Sequence, residues 1–180
     1  MIQNEITENI CSRRSVRKYS NEPISEELVL TMLECAGFAP SGLNNQPWRF
    51  IVVDNSGTDN SDDKEIGRRL SEQTHYSDIV SSAPLLIAVF LDTAASYNRE
   101  KDLMAIGATI QNILLSAHSL GLGAVWLGEI LKNKDQVSKI LEAPETFELT
   151  AVIAVGKPAA DLSDSGNAAR KALDEIVFKK

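Results

Sequence analysis

Apolar residues along the chain fall first at helical spacing, then in short continuous runs, then at helical spacing again. Residues 2–13 read as a first helix. Ser25 followed by Glu26 and Glu27 marks the start of a second, because a hydroxyl can cap free amides and acids are favourable at the positive end of the helix dipole. Leu28, Met32, Cys35 and Ala36 then share one face, and Pro40 closes the helix. Residues 41–45 carry loop chemistry ahead of a β-rich stretch at 48–53. Residues 54–63, DNSGTDNSDD, are polar and turn-rich and read as a surface excursion without catalytic content.

The run LLIAVFL at 85–91 is continuous rather than alternating, as expected of a central strand covered on both faces. Leu103, Ile106, Ile110, Ile113, Leu114 and Ala117 recur at helical spacing, so residues 101–119 predict a long amphipathic helix ending at Gly121. A strand at 124–127, a short helix at 132–141 and a strand at 147–155 closing at Gly156 complete the pattern, which contains no internal repeat. The tail, 159–180, is polar until Leu173, Ile176, Val177 and Phe178, an amphipathic patch suited to docking on a second subunit.

With 43% hydrophobic and 24% charged residues, the 180 residues suit one domain spanning 1–180. A net charge of -7 leaves no overall positive field for a polyanion, which speaks against nucleic acid as a partner. The apolar runs fall far short of the roughly 20 residues that span a bilayer, so no membrane association is expected. Residues 1–9 carry Glu5 and Glu8 and lack a basic start followed by an apolar stretch, so no secretory signal is read and a cytoplasmic location is expected. Cys11 and Cys35 have neither CxxC nor Cys/His spacing, and neither a disulfide nor a metal site is expected.

Several familiar chemistries have no anchor. GLGAVWLG at 121–128 places its glycines after a helix, whereas a dinucleotide-binding fingerprint follows a strand and opens a helix. GxxxxGK[ST], GxSxG and HExxH are all missing, and His75 and His118 have no recognisable triad partner. What stands out is RRSVRKY at 13–19 and APSGLNNQPWRF at 39–50. Arg13, Arg14 and Arg17, with the Ser15 hydroxyl, concentrate positive charge in an otherwise acidic chain; they suit a phosphorylated ligand, or else a solvated basic helix end. Ser41, Asn44 and Gln46 can hydrogen-bond a flat heteroaromatic, or simply line a helix-to-strand turn beside a buried Trp48.

These two strings, about 25 residues apart, resemble the signature of the nitroreductase family of FMN-binding reductases. QNILLSAHSLGLGAVWLG at 111–128 is similar to that family's core helix and following flavin-side strand. AVIAVGKP at 151–158 resembles its last core strand, and RKALDEIVF at 170–178 its C-terminal segment. The resemblance implies an α+β fold, a central mainly antiparallel sheet flanked by helices, in an intertwined homodimer whose C-terminal tails embrace the partner. It implies that Arg13, Ser15 and Arg17 contact the phosphate, ribityl chain and pyrimidine edge of bound FMN, with Arg14 assisting and Arg170 completing the phosphate grip. Pro40, Ser41, Gly42 and Asn44 are implied to reach a flavin held mainly by the other subunit, and Leu127, Gly128 and Glu129 to pass beside the isoalloxazine. Ala168 stands where some members carry a second basic residue, which leaves more of the phosphate to the N-terminal arginines.

The activity so implied is ping-pong transfer of hydride from NADH or NADPH, through FMN, to nitroaromatics, quinones or similar small acceptors. The flavin carries the electron chemistry, so no dedicated catalytic side chain is expected. Two rival readings are a flavin-binding redox sensor without turnover and an interaction module whose arginines meet an acidic protein.

Overall fold

The computed structural model describes residues 4–57, 61–160 and 169–178. In chain order its elements are α1 (Glu5–Ser12), α2 (Glu26–Gly37), β1 (Trp48–Asp54), α3 (Ser61–Ser71), α4 (Ser77–Ser82), β2 (Leu85–Asp92), α5 (Arg99–Ser119), β3 (Gly123–Leu127), α6 (Lys134–Ile140), β4 (Phe147–Gly156) and α7 (Leu173–Ile176). Short 3-10 turns occupy Gly42–Asn44 and Glu129–Asn133. The strands lie in the order β1-β2-β4-β3, every neighbouring pair antiparallel, so the fold is α+β with an open antiparallel sheet.

Every residue of β2 is buried, which explains why its sequence shows no polar alternation. Leu85, Ile87, Val89 and Leu91 pack with Met32 and Ala36 of α2 and with Ile106, Ile110 and Ile113 of α5. Leu86, Ala88 and Phe90 face the other layer, where Leu70 of α3, Ile79 and Val80 of α4, and Val137 and Ile140 of α6 cover them. The β2–β4 register shifts between Val89 and Phe90: Val89 faces Ala151, Phe90 faces Leu149, and the intervening Thr150 donates its hydroxyl to the Val89 carbonyl at 2.7 Å. Ala151 and Leu149, two residues apart, therefore serve opposite layers, as one extra residue in a strand demands.

The ends of α5 carry their own signals. Asn98 accepts the Lys101 amide at 3.0 Å. At the far end Gly121 takes φ +75°, while Leu122 and Gly121 donate to the carbonyls of Ala117 and His118 at 2.8 and 3.1 Å. This double closure needs a left-handed residue, and glycine adopts that conformation without strain. The helix thus begins two residues before the expected 101 and ends where the apolar spacing stops.

Some expectations are corrected. α1 starts at Glu5, where Asn4 and Thr7 cap each other reciprocally at 2.9 and 3.0 Å, while residues 2 and 3 of the expected helix lie outside the described residues. Ser25 does sit at the N-cap of α2, but its side chain makes no cap bond; its carbonyl accepts the amides of Leu28 and Val29. The stretch 54–63 is not wholly an excursion. Asp54 ends β1, and Asn55 is buried, its amide donating to Val80 and Ala83 carbonyls at 3.1 and 2.8 Å; α3 begins at Ser61. Residues 58–60 lie outside the described residues. α3 left little trace in the sequence because Ile66 and Leu70 are its only apolar side chains, too few to mark a helical period. The short helix expected at 132–141 divides into the 3-10 turn Glu129–Asn133 and α6.

After α1 the chain runs along the outer edge of the sheet. Val16 donates to the Ala124 carbonyl at 3.1 Å, Ser20 to Lys157 at 2.9 Å, and Ala159 back to Lys18 at 3.1 Å. Two glycines permit the approach: a Cβ on Gly123 would lie 2.6 Å from the Val16 Cβ, and one on Gly156 would lie 2.8 Å from the Tyr19 ring. The Tyr19 hydroxyl lies 2.6 Å from the Val16 carbonyl oxygen and 3.1 Å from that of Ala154, so one proton serves both. Burial pushes its ionisation well above the usual tyrosine range. Tyr19→Phe leaves two carbonyls without this donor and should lower stability by about 1 to 3 kcal/mol, read as a lower urea midpoint at unchanged slope.

Candidate functional site

Arg13 is the first residue past α1 and is half-buried between that helix and the sheet edge. Its Nε is buried and has no hydrogen-bond partner among the described residues. Burial lowers the guanidinium pKa, and Arg170 and then Arg14 push it the same way, so three arginines converge here. Arg14 turns its Nη1 onto the α1 carbonyls of Cys11 and Ser12, at 2.8 and 3.2 Å, which fixes its stem beside Arg13. Ser15 bridges to Ala124 at the start of β3, and Arg17 is exposed, its Nη1 3.4 Å from the Ser15 carbonyl. His118 lies 2.8 Å from the Ser12 hydroxyl. Burial, followed by Arg13 and Arg14, lowers its pKa and so disfavours a further positive charge here.

Like charges gathered around an unpartnered buried donor are unfavourable on their own. An anion relieves both terms, and a phosphate supplies acceptors on several sides.

The second string forms a tightly wound loop at 41–46. Leu43, Asn44 and Gln46 have φ of 56°, 53° and 47°. Asparagine tolerates that region; Leu43 and Gln46 are strained there by about 1 to 3 kcal/mol each. The loop is held from several directions. Ser41 Oγ accepts the Gln46 amide at 3.0 Å, Gln46 Nε2 donates to Asn44 O at 3.3 Å, and Asn45 donates its side-chain amide to the Ala95 carbonyl. Arg49 donates to the carbonyls of Gln46 and Trp48 while pairing with Asp92 at 2.7 Å. The Leu43 side chain is left 86% exposed in this strained setting, and Phe38 just before the loop 88%.

The two strings sit at opposite ends of α5. Asn9 donates to Leu115 O and Ser12 meets His118 near its C-terminus, whereas Gly42 lies against Tyr97 just before its N-terminus. A helix of 21 residues is about 30 Å long. Leu127 and Gly128 fall between them, because β3 runs back along α5 from the Arg13 end for about 13 Å.

At the end of β3 the Glu129 carboxylate turns away from the strand. It accepts from Thr74 Oγ1 at 2.7 Å and the His75 amide at 3.1 Å, and it pairs with Lys132. Lys132, and after it Thr74, hold its pKa down at about 2, with the His75 amide assisting. Asn133 adds a second tie, donating to the Gln73 carbonyl at 2.9 Å.

Residues 10–157 match the family model for the nitroreductase family. The chain belongs to the nitroreductase family. A provisionally named nitroreductase from Desulfovibrio desulfuricans, solved in complex with FMN, is 40% identical with a TM-score of 0.88, covering 99% of this chain and 98% of that one. A protein of Methanothermobacter thermautotrophicus provisionally named NADH dehydrogenase/NAD(P)H nitroreductase is 35% identical over 158 residues, 86% of this chain and 78% of its own length. An FMN reductase [NAD(P)H] of Bacillus subtilis is 29% identical over 179 residues.

Within this chain the candidate residues form two groups. Arg13, Arg14, Ser15, Arg17 and Arg170 gather at the sheet edge, with Leu127 at the far end of β3 and Gly128 and Glu129 just beyond it. Pro40, Ser41, Gly42, Asn44 and Gln46 form the distant loop. Ala168 lies outside the described residues. Sequence reasoning missed the framework around the loop, Asn45, Arg49, Asp92, Tyr97 and Asp102, because each reads locally as an ordinary polar or turn residue. It also missed Thr74, whose importance depends on a partner 55 residues away.

Glu129 ionises at about 2 in the folded chain against a usual carboxylate value of 4.5, so it favours folding at every pH above that value. The contribution is lost as pH falls from about 4.5 towards 2. Glu129→Gln should therefore flatten the acid limb of a stability profile over that window, with Glu65 and Glu148, held down by Arg68 and Arg99, supplying what remains. An acid limb as steep as that of the unsubstituted protein would show that the clamp contributes nothing.

Proposed function

We propose that this nitroreductase is an FMN-dependent oxidoreductase, with residues 1–180 acting as one domain and NADH or NADPH as donor. Nitroaromatics, quinones or similar electron-poor molecules are the acceptors. The observation that carries the reading is the half-buried Arg13, its Nε without a partner among the described residues, beside Arg14 and Arg170. That donor set fits the FMN phosphate, and the relative solved with FMN supports the choice of ligand. When bound, FMN supplies acceptance of hydride from the nicotinamide and delivery of electrons to the acceptor.

The chain's own residues bind and orient. Arg13, Arg14 and Arg170 neutralise the phosphate, Ser15 and Arg17 meet the ribityl chain and pyrimidine edge, and Leu127, Gly128 and Glu129 pass beside the ring. The Thr74 and Lys132 contacts keep the Glu129 carboxylate turned towards the connection between α3 and α4, which leaves backbone amides to face the ring. No dedicated side-chain acid is invoked, since the accompanying proton can come from solvent at an open site.

Loop 41–46 cannot meet the same flavin within one chain, because about 30 Å of helix separates it from Arg13. We infer a homodimer in which Pro40, Ser41, Gly42, Asn44 and Gln46 of one copy reach the flavin bound by the other. Leu173, Ile176, Val177 and Phe178 of the tail are 50–87% exposed, which favours their docking on that second copy. No helix among the described residues is long and apolar enough to cross a membrane, and the use of NAD(P)H leads us to place the protein in the cytoplasm.

Donor and acceptor share one exposed flavin face in this reading, so turnover is ping-pong. The purified protein should be yellow, bleach with NADH or NADPH alone, recolour with a quinone, and give parallel steady-state lines at fixed acceptor concentrations. A flavin that neither nucleotide bleaches would favour the redox sensor instead.

Arg13→Ala should weaken FMN by about 1.5 to 3 kcal/mol while leaving riboflavin nearly unaffected. Equal effects on the two flavins would remove the phosphate role of Arg13. In sedimentation, the FMN-loaded protein should run as a dimer; a monomer saturated with FMN would overturn the shared site.

A further inference from the structure

Asp102 is fully buried in the first turns of α5, yet among the described residues only one of its oxygens is used. Oδ2 accepts from Ser96 Oγ at 2.7 Å, from the Tyr97 amide at 3.1 Å and from the Asn98 amide at 3.2 Å. Oδ1 is buried without a partner among the described residues. Capping of α5 does not require this, since Asn98 already accepts the Lys101 amide. A buried carboxylate is an expensive way to tie a turn unless the turn itself must be held in one place.

What the turn holds is the loop at 41–46. Tyr97 projects from it so that any Cβ on Gly42 would collide with the phenol ring and hydroxyl, and Ala95, just before it, accepts the Asn45 amide. Lys101 lies 5.7 Å from the Tyr97 ring centroid and steadies the ring from the helix side. The loop's left-handed residues, Leu43, Asn44 and Gln46, need such outside support, because their conformation is not one the local sequence prefers.

We propose that Asp102, acting through Tyr97, is the positioning residue for loop 41–46. In this arrangement the carboxylate fixes the 96–98 turn, the turn aims the Tyr97 ring, and the ring fills the space that Gly42 leaves open. The role at the flavin rests on the function proposed above; the mechanical coupling from Asp102 to the loop does not.

The test uses the full chain and the variants Asp102→Asn, Tyr97→Ala and Tyr97→Phe, with two readouts. In amide hydrogen exchange, the protected amides of Asn44, Asn45 and Gln46 should exchange about tenfold faster in Asp102→Asn and Tyr97→Ala, while amides of β2 and β4 stay as slow as before. Tyr97→Phe keeps the ring and should restore the original rates. In flavin titrations with the same proteins, FMN and riboflavin should both weaken, by a similar factor of about ten, because the loop acts away from the phosphate. The visible band of bound flavin should shift as well.

Unchanged exchange at 44–46 in both Asp102→Asn and Tyr97→Ala would overturn the proposal, as would a loss spread evenly over β2 and β4. If Asp102→Asn does not fold, Tyr97→Ala, at a residue 43% exposed, decides the matter alone. Failure of the unsubstituted protein to bind FMN would instead overturn the function proposed above, and the exchange result would still stand on its own.

Discussion

Tyr19 lies against Gly156 at a distance no side chain on that residue would allow, and the placement of the arginines depends on this contact. The segment joining α1 to α2 has no helix or strand of its own. It is held by backbone bonds to Ala124 and Lys157 and by one phenol shared between two carbonyls. Gly123 and Gly156 open the room that Val16 and Tyr19 occupy, so the glycines act as sockets in the sheet edge. On the same held segment, Arg13 lies half-buried beside Arg14 and Arg170. The cluster is thereby a partly buried group of like charges rather than a solvated basic stretch, which is what favours the anion proposed for it.

The rest of the proposed site meets the opposite constraint. Loop 41–46 is wound into conformations its own residues resist, and it is held by long-range contacts rather than by local preference. Asp92 acts through Arg49, and Asp102 through the 96–98 turn. Both carboxylates lie at the ends of elements that belong to the core, so the loop inherits the rigidity of β2 and α5. A site assembled from a rigidly held loop and a rigidly seated arginine cluster needs only that two such bodies be brought together. The length of α5 keeps them apart within one chain, which is why the proposed function is inseparable from a second copy.

Much was legible in the sequence where local chemistry and final environment agree. The continuous run at 85–91 is buried on both faces, the apolar spacing of α5 is the face that packs, and Gly121 is the left-handed residue its helix end requires. The strings at 13–19 and 39–50 carry the family resemblance by residue identity, and no coordinates are needed to see it. α3 escaped because two inward residues in a polar segment make too weak a periodic signal. Asn55 escaped because an asparagine in a turn-rich stretch looks solvated until its carbonyl partners, 25 and 28 residues away, are known.

By itself, then, the sequence determined where α1, α2, α5 and the four strands form, which faces of α2 and α5 are apolar, and which residue types are available to hold a phosphate and a flat ring. Only the tertiary structure decided that Arg13 is partly withdrawn from water, that Glu129 spends its carboxylate on Thr74 and Lys132, and that the two signature strings stand at opposite ends of one helix. The physical reason is range. Helical periodicity and turn chemistry act over a few residues, whereas burial, pKa and the distance between sites are set by partners that approach only when the sheet has closed.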